Sequence, residues 1–259
     1  MRKENPSVVI DKAKCVGCGL CARDCAGNCL QVRDNVAVFF GKGCIACGHC
    51  HAVCPQGAVV LNDYPLEEQA EAACFDLDSE KLLLAMKSRR SVRHFKAAPV
   101  EEEKVAAIIE AGRYCPTGSN SQNVAYTILG SRQDEIEALC VKLFRTGEGF
   151  SPALSNYLMD RQISDNFFFK GAPLVIVVSS PSEVDAGLAS SYMELMAESL
   201  GLGVLYSGFF AICARTSEEL NQMLRLPPQH KVVTCLVIGY PDVKFYRVVP
   251  REVPQITVL

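Results

Sequence analysis

From residue 79 onward, apolar and polar positions follow helix-like and strand-like periods in mixed order, the pattern of an α+β chain. Glu80–Lys87 reads as a short amphipathic helix with apolar residues at 82–85 and a basic end at Lys87-Ser88-Arg89-Arg90. Pro99 opens a second helix, whose acidic first turn suits the positive end of a helix dipole and which runs toward Tyr114, before Pro116. Asp134–Phe144 and Ser217–Leu226 also read as helices, the latter stopped by Pro227-Pro228. Val124–Leu129, Leu174–Val178 and Val232–Ile238 are short, rich in branched residues and bounded by breakers, so they read as strands.

Ala186–Leu200 predicts a long helix that is apolar or small on most of its circumference. Leu188, Tyr192, Leu195 and Ser199 form one stripe; Ala189, Met193, Met196 and Leu200 form a second. Such a helix is buried on more than one side, either as a central core helix or at a subunit interface. Glu194 and Glu198, one turn apart, are expected to mark its least buried face rather than to form an acid/base pair.

Composition alters this picture at the other end of the chain. Nine of the 14 cysteines lie between Cys15 and Cys54; Cys74, Cys115, Cys140, Cys213 and Cys235 are scattered singly beyond. A disulfide scaffold belongs to a small secreted chain, and this one has 259 residues and no apolar stretch behind its N-terminal basic residues. The clustered cysteines are therefore read as metal ligands, and a cytoplasmic location is expected. Cys15-x₂-Cys18-x₂-Cys21-x₃-Cys25 recurs 29 positions later as Cys44-x₂-Cys47-x₂-Cys50-x₃-Cys54, an internal repeat of two copies. Cysteines three apart wrap three corners of one cuboidal iron–sulfur cluster, and the fourth lies too far along to close the same loop comfortably. Zinc takes ligands typically as two pairs and has no use for a third cysteine in each run, although His49 and His51 flank Cys50.

These residues, over roughly 7–62, resemble the bacterial-type ferredoxins with two [4Fe-4S] clusters. The resemblance implies that Cys15, Cys18, Cys21 and Cys54 hold one cluster and Cys44, Cys47, Cys50 and Cys25 the other. Ala26 departs from the pattern, since Pro55 follows the last cysteine of the second motif. Cys29 is an additional thiol that could replace Cys25, though the repeat favours Cys25. The division expected is a ferredoxin-like domain at 1–62, a linker at 63–78 and a larger domain at 79–259. Residues 1–62 carry seven Lys/Arg against four Asp/Glu, whereas the whole chain has a net charge of −3. That balance argues against nucleic acid as a partner, and no apolar run is long enough to span a membrane.

Three polar segments of the larger domain invite a chemical reading. Arg89-Arg90-Ser91-Val92-Arg93-His94-Phe95 is either a solvated basic helix end or a phosphate grip, because arginine forks match phosphate oxygens. Residues 115–123, Cys-Pro-Thr-Gly-Ser-Asn-Ser-Gln-Asn, are either an ordinary turn or a loop whose amides bond a heterocycle. Gly201-Leu-Gly203-Val-Leu-Tyr206-Ser207-Gly208 is not a dinucleotide fingerprint: its third glycine comes five positions after the second, and it follows a helix. No Walker A or nucleophile-elbow motif occurs, and four histidines supply nucleophilic catalysis poorly.

Taken with Gly171-Ala-Pro-Leu-Val-Ile-Val-Val178 and Gly239-Tyr-Pro241 leading to Pro250-Arg251, these segments resemble the nitroreductase family of FMN-dependent oxidoreductases over roughly 79–259. The whole chain then resembles a ferredoxin–nitroreductase fusion. The resemblance implies an α+β nitroreductase fold, a mixed central sheet flanked by helices, in a homodimer with FMN at its interface. It implies that Arg89, Ser91 and Arg93 hold the phosphate and ribityl chain and that Arg90 lies near the ring. Pro116, Thr117, Gly118 and Asn120 would come from the partner subunit, Ser207 and Gly208 would offer backbone donors near the flavin N5, and Arg251 with Arg247 would complete the phosphate site. The family's usual Pro-Trp is Asn123-Val124 here and no tryptophan occurs, so Tyr157, Phe167, Phe168 or Phe169 are candidate substrate stackers. The flavin carries the chemistry, with no side chain needed as nucleophile. The expected activity is two-electron reduction of a nitroaromatic, quinone or similar organic acceptor, the clusters relaying single electrons from an electron-donor protein or reductase to FMN. Alternatives are an electron carrier or redox sensor without turnover, and a family member acting in dehalogenation or flavin fragmentation. Cys213 and Cys235 are expected to be core thiols, and Cys115 a structural one.

Overall fold

The computed structural model describes residues 7–62, 64–65, 76–147, 150 and 162–259. The chain divides into two compact units: Met1–Asp76 with Thr117–Gln122, and Leu77–Pro116 with Asn123–Leu259.

In the first unit the cysteine repeat is also a structural repeat. Strand β1 (Val8–Ile10), a helical turn Leu20–Arg23 and β2 (Leu30–Arg33) form one copy. Strand β3 (Val36–Phe39), the turn His49–Ala52 and β4 (Val59–Leu61) form the next, shifted by the same 29 positions. Each copy is too short to make its own sheet, so the copies exchange edges. β1 pairs antiparallel with β4, Val9 opposite Val60, and β2 pairs with β3, Val32 opposite Ala37. The β2–β3 connection is a two-residue hairpin, Asp34-Asn35, with both residues at positive φ, the twist that such hairpins favour. Leu30, Ala37 and Val59 pack with Cys21 and Cys50 as its core.

The second unit is built on a four-stranded sheet in the order β5 (Ala125–Ile128), β6 (Leu174–Ser180), β8 (Lys231–Gly239), β7 (Gly203–Tyr206). All pairings among these strands are antiparallel. A parallel contact enters through the isolated bridge Ser91–Val204, which lays the arginine-rich segment along β7 and gives the sheet its mixed character. Strand β6 is buried at every position, and alternate residues serve two cores. Val175 and Val177, with Cys235 and Val237, meet Phe144, Phe168, Phe169 and Phe210 on one face. Leu174, Ile176 and Val178, with Leu236 and Ile238, meet Ile108 and Met193 on the other. The continuous apolar runs of β6 and β8 thus reflect helices covering both faces, as period-2 geometry requires.

The predicted helices are present at Ser79–Ser88, Glu102–Arg113, Gln133–Thr146, Glu183–Ser199 and Glu218–Leu224. Ser182 caps the long helix by accepting from the Asp185 N–H. Its buried line is Ala186, Ala189, Met193 and Ala197, whereas Val184, Leu188 and Tyr192 are exposed. The expected polar face is corrected: Glu194 is buried, 5% exposed, and Glu198 is half-buried. Periodicity gave no sign of the partner that allows this, Arg89 of a distant segment. Strand β7 and the helix Gly208–Thr216 lie within and after the glycine segment and were not predicted. Phe209-Phe210-Ala211-Ile212-Cys213-Ala214 is apolar almost all round, so no amphipathic period marks it. Cys213, Cys235 and Cys140 are fully buried. Burial also holds the Cys115 thiol above its ordinary pKa, in keeping with a structural role. Cys74 lies outside the described residues.

Candidate functional site

The strand exchange in the first unit decides how its cysteines meet. Because the last residues of one copy pair with the other, the fourth cysteine of each motif is carried across. Cys15, Cys18 and Cys21 line one hollow together with Cys54, and Cys44, Cys47 and Cys50 line another together with Cys25. Backbone N–H groups point at these sulfurs: Ala37 donates to Cys15 Sγ at 3.4 Å, Cys29 to Cys25 Sγ at 3.2 Å, Ala46 to Cys44 Sγ at 3.4 Å and Ala58 to Cys54 Sγ at 3.3 Å. Such donors stabilise negative charge on sulfur. Among the described residues, no group of three or more His, Cys, Asp or Glu side chains is set to hold a metal ion. Four cysteines line each hollow, and four thiolates are the donor set that an iron–sulfur cluster takes. His49 and His51 are engaged elsewhere: His49 Nδ1 lies 3.0 Å from Asp24 Oδ2, and His51 Nδ1 lies 2.6 Å from the Val59 carbonyl. Cys29, the repeat counterpart of Ala58, is buried and donates its S–H to the carbonyls of Gly27 and Lys42, both at 3.3 Å. Burial, and then the neighbouring Cys25, raise its pKa to about 11.

In the second unit, the sequence motifs meet along β7. The Val92 N–H donates to the Val204 carbonyl at 3.0 Å, and the approach is so close that a Cβ on Gly203 would stand 2.4 Å from Val92 Cγ2. Three residues on, Phe95 bridges to Pro241 and packs near Gly239. The Arg89–Phe95, glycine and Gly239–Pro241 motifs are thus one packed assembly. Arg90 is its most informative member. Its Nη1 donates to the carbonyls of Lys87 and Arg89, while Nε and Nη2 are buried with no hydrogen-bond partner. An unpaired buried donor on a charged group costs ~1–3 kcal/mol or more. The site therefore fits a ligand that brings acceptors to Arg90, as the carbonyls of a flavin ring or a phosphate would.

Arg89 is bonded within the unit through one of its nitrogens. Its Nη1 lies 2.6 Å from Glu194 Oε1, and the Tyr206 hydroxyl donates to Glu194 Oε2 at 3.3 Å. Burial raises the Glu194 pKa despite the opposing pull of Arg89, and Glu198 is raised by burial and by the adjacent Glu194 charge. This triad fixes Tyr206, and with it the end of β7 from which Ser207 and Gly208 follow. Ser207 is corrected as a backbone donor, since its N–H is used by the Cys235 carbonyl at 2.8 Å. Gly208 opens the helix Gly208–Thr216, so its N–H has no acceptor within that helix.

Ser91 is half-buried beside β7, and exposed Arg93 donates to the Ser91 carbonyl at 3.4 Å. Arg247 and Arg251 are exposed and make no hydrogen bond or ion pair among the described residues. Pro116 is exposed; Thr117, Gly118 and Asn120 fall in the segment that groups with the first unit. Phe168 and Phe169 are corrected as substrate stackers: both are core residues, 1% and 0% exposed, with their N–H groups on the buried Glu137 carboxylate at 2.8 and 2.9 Å. Phe167 is half-buried beneath Lys170 Nζ, 4.6 Å from its ring centroid. Tyr157 lies outside the described residues. Sequence reading missed Glu194, Tyr206 and Glu137 because each is defined by a partner far away in the chain.

Residues 86–240 match the sequence profile of the nitroreductase family. The chain belongs to that family. The FMN reductase (NAD(P)H) of Bacillus subtilis (strain 168) is 28% identical over 174 residues, covering 62% of this chain and 66% of that protein. The NADPH-flavin oxidoreductase of Vibrio harveyi is 25% identical over 162 residues, covering 60% and 63% respectively. The chain thus spans a little under two thirds of the length of these curated flavin oxidoreductases. A shorter likeness, 38% over 47 residues and 18% of each chain, is to a component of the ion-translocating oxidoreductase complex of Methanosarcina acetivorans. Among solved structures, an FMN-bound nitroreductase from Bacteroides fragilis superposes with a TM-score of 0.59 at 22% identity, covering 69% of this chain and 98% of that one. One from Desulfitobacterium hafniense gives 0.56 at 23%, covering 71% and 100%. These likenesses establish the α+β nitroreductase fold. No helix among the described residues is long and apolar enough to cross a membrane.

Proposed function

We propose that this chain is an FMN-dependent reductase in which two [4Fe-4S] clusters, held by Cys15, Cys18, Cys21 and Cys54 and by Cys44, Cys47, Cys50 and Cys25, feed electrons to the flavin. The observation that carries the reading is the exchange of the fourth cysteine between the two hollows, in a chain whose second unit holds a buried, unsatisfied Arg90. When bound, the clusters pass single electrons and the flavin pairs them for delivery to a small organic acceptor such as a nitroaromatic or quinone. Arg90 would supply donors to the ring, and Ser91 and Arg93, with Arg247 and Arg251, would bind the phosphate and ribityl chain. Gly208 would offer its N–H to the ring, and the Arg89–Glu194–Tyr206 triad holds the end of β7 in place. Placing cationic and N–H donors where negative charge accumulates favours the reduced flavin electrostatically.

A homodimer completes the site in this reading. It is supported by the exposed apolar line Val184, Leu188 and Tyr192 and by the exposed arm beyond Asp242, which carries Phe245, Tyr246, Val253 and Ile256. The electron source is a donor protein or reductase. Anaerobic purification tests the whole scheme: iron, sulfide and FMN content, mass in solution, and turnover of nitroaromatics, quinones and halogenated phenols with a reduced ferredoxin. Recovery of zinc without iron refutes the relay. Full cofactor content without turnover of any acceptor makes the protein a carrier or sensor instead.

A further inference from the structure

The two cysteine loops differ at one matched position. In the first copy the residue between Cys15 and Cys18 that turns left-handed is Gly17, at φ +65°. Its counterpart between Cys44 and Cys47 is Ala46, at φ +54°. Glycine adopts that conformation freely, whereas an L-residue with a Cβ is strained there and persists only where its surroundings hold it. The hold comes from outside the repeat. Asn120 Nδ2 donates to the Ala46 carbonyl at 2.9 Å and to the Ile45 carbonyl at 3.3 Å. With both carbonyls taken up on that side, the Ala46 N–H is left to face Cys44 Sγ at 3.4 Å.

Asn120 is itself firmly placed. Its Oδ1 accepts from Gln122 Nε2 at 3.3 Å, and the Gln122 N–H donates to Thr117 Oγ1 at 3.0 Å. Ser119, Asn120 and Gln122 all have positive φ, so this short segment is a stiff bracket rather than a slack loop. It lies in the same compact unit as the cysteine loops, yet in the chain it is continuous with Pro116 and Asn123 of the other unit.

We infer that Asn120 is a positioning residue for the second cysteine site: its amide clamps the Cys44–Cys47 loop in the shape that glycine provides in the first. The inference deepens the proposed function and rests on its assignment of clusters to the two hollows. It makes retention of the second cluster, and the N–H donation to its Cys44 sulfur, depend on a segment that the family resemblance assigns to the flavin. Hydrogen bonds to cluster sulfurs are among the factors that set cluster potentials.

The test uses the full chain with its cofactors, purified anaerobically, as wild type, Asn120→Ala, Ala46→Gly and the double variant. Iron release under a chelator and a redox titration followed by electron paramagnetic resonance are the readouts. In Asn120→Ala, one cluster of the two is expected to be lost about fivefold faster. One midpoint potential is expected to fall while the other stays put. The double variant is expected to recover wild-type retention, because glycine no longer needs the clamp. Unchanged kinetics and potentials in Asn120→Ala overturn the inference, as do equal effects on both clusters or no recovery in the double variant. A wild-type chain that binds fewer than about eight irons refutes the parent reading instead, before any variant is compared.

Discussion

Gly203→Ala probes the assembly on which the flavin site depends. The new methyl would meet Val92 Cγ2 at 2.4 Å, Val92 Cβ at 2.8 Å and Pro241 Cγ at 3.0 Å, so the Arg89–Phe95 segment must move away from β7. Overpacking of this kind costs ~1–3 kcal/mol, and loss of the Val92–Val204 hydrogen bond adds ~0.5–1.5 kcal/mol. For a unit of this size, the steric part alone lowers Tm by about 2–12 °C. Displacing even one charge-assisted contact to FMN, at ~1.5–3 kcal/mol, weakens binding by roughly tenfold or more. Tm by calorimetry of the flavin-free protein and Kd by quenching of flavin fluorescence measure the two effects separately. Gly187→Ala is the matched control. Nothing among the described residues of the chain lies within 4 Å of its added methyl, and alanine in a helix is better than glycine by ~1 kcal/mol, so the Tm of the flavin-free protein rises instead of falling. A Gly203→Ala protein with wild-type Tm and Kd would show that the close contact of Val92 with β7 does not shape the site.

Other variants separate stability from binding in different ways. Arg90→Met removes two buried unsatisfied donors along with the Nη1 bonds to the Lys87 and Arg89 carbonyls, so the stability of the flavin-free protein changes little while FMN affinity falls about tenfold or more; equal affinity in the two proteins contradicts the role given to Arg90. Cys54→Ser should abolish the cluster of the first motif and spare that of the second, read as the loss of one of two paramagnetic signals; loss of the second alone would reverse the assignment. Glu137→Ala leaves the Phe168 and Phe169 N–H groups without their acceptor and should cost ~2–6 kcal/mol, measured by urea unfolding. Burial raises the Glu137 pKa, so its carboxyl binds a proton more tightly folded than unfolded. Its contribution is therefore largest below the ordinary glutamate value, ~4.3, and declines as pH rises through the raised value. Glu137→Gln should flatten that decline, and a steeper one would contradict the sign.

The amino-acid sequence by itself determined the cysteine repeat, the helices and strands with clear periods, and the set of motifs that met along β7. Those features are local: a spacing, a cap or an alternation is complete within a few residues, so its physical cause can be read in place. Tertiary structure alone decided the properties that depend on a distant partner. Glu194 looked like a solvent-facing carboxylate until Arg89, more than a hundred positions earlier, took its charge. Phe168 and Phe169 looked available for stacking until the Glu137 carboxylate drew their backbone into the core. The Asn120 amide bonds the loop of Ala46, more than seventy positions earlier, which no local pattern in its own segment announces. Burial is a property of what covers a residue, and the chain must close over many intervening residues before that cover exists.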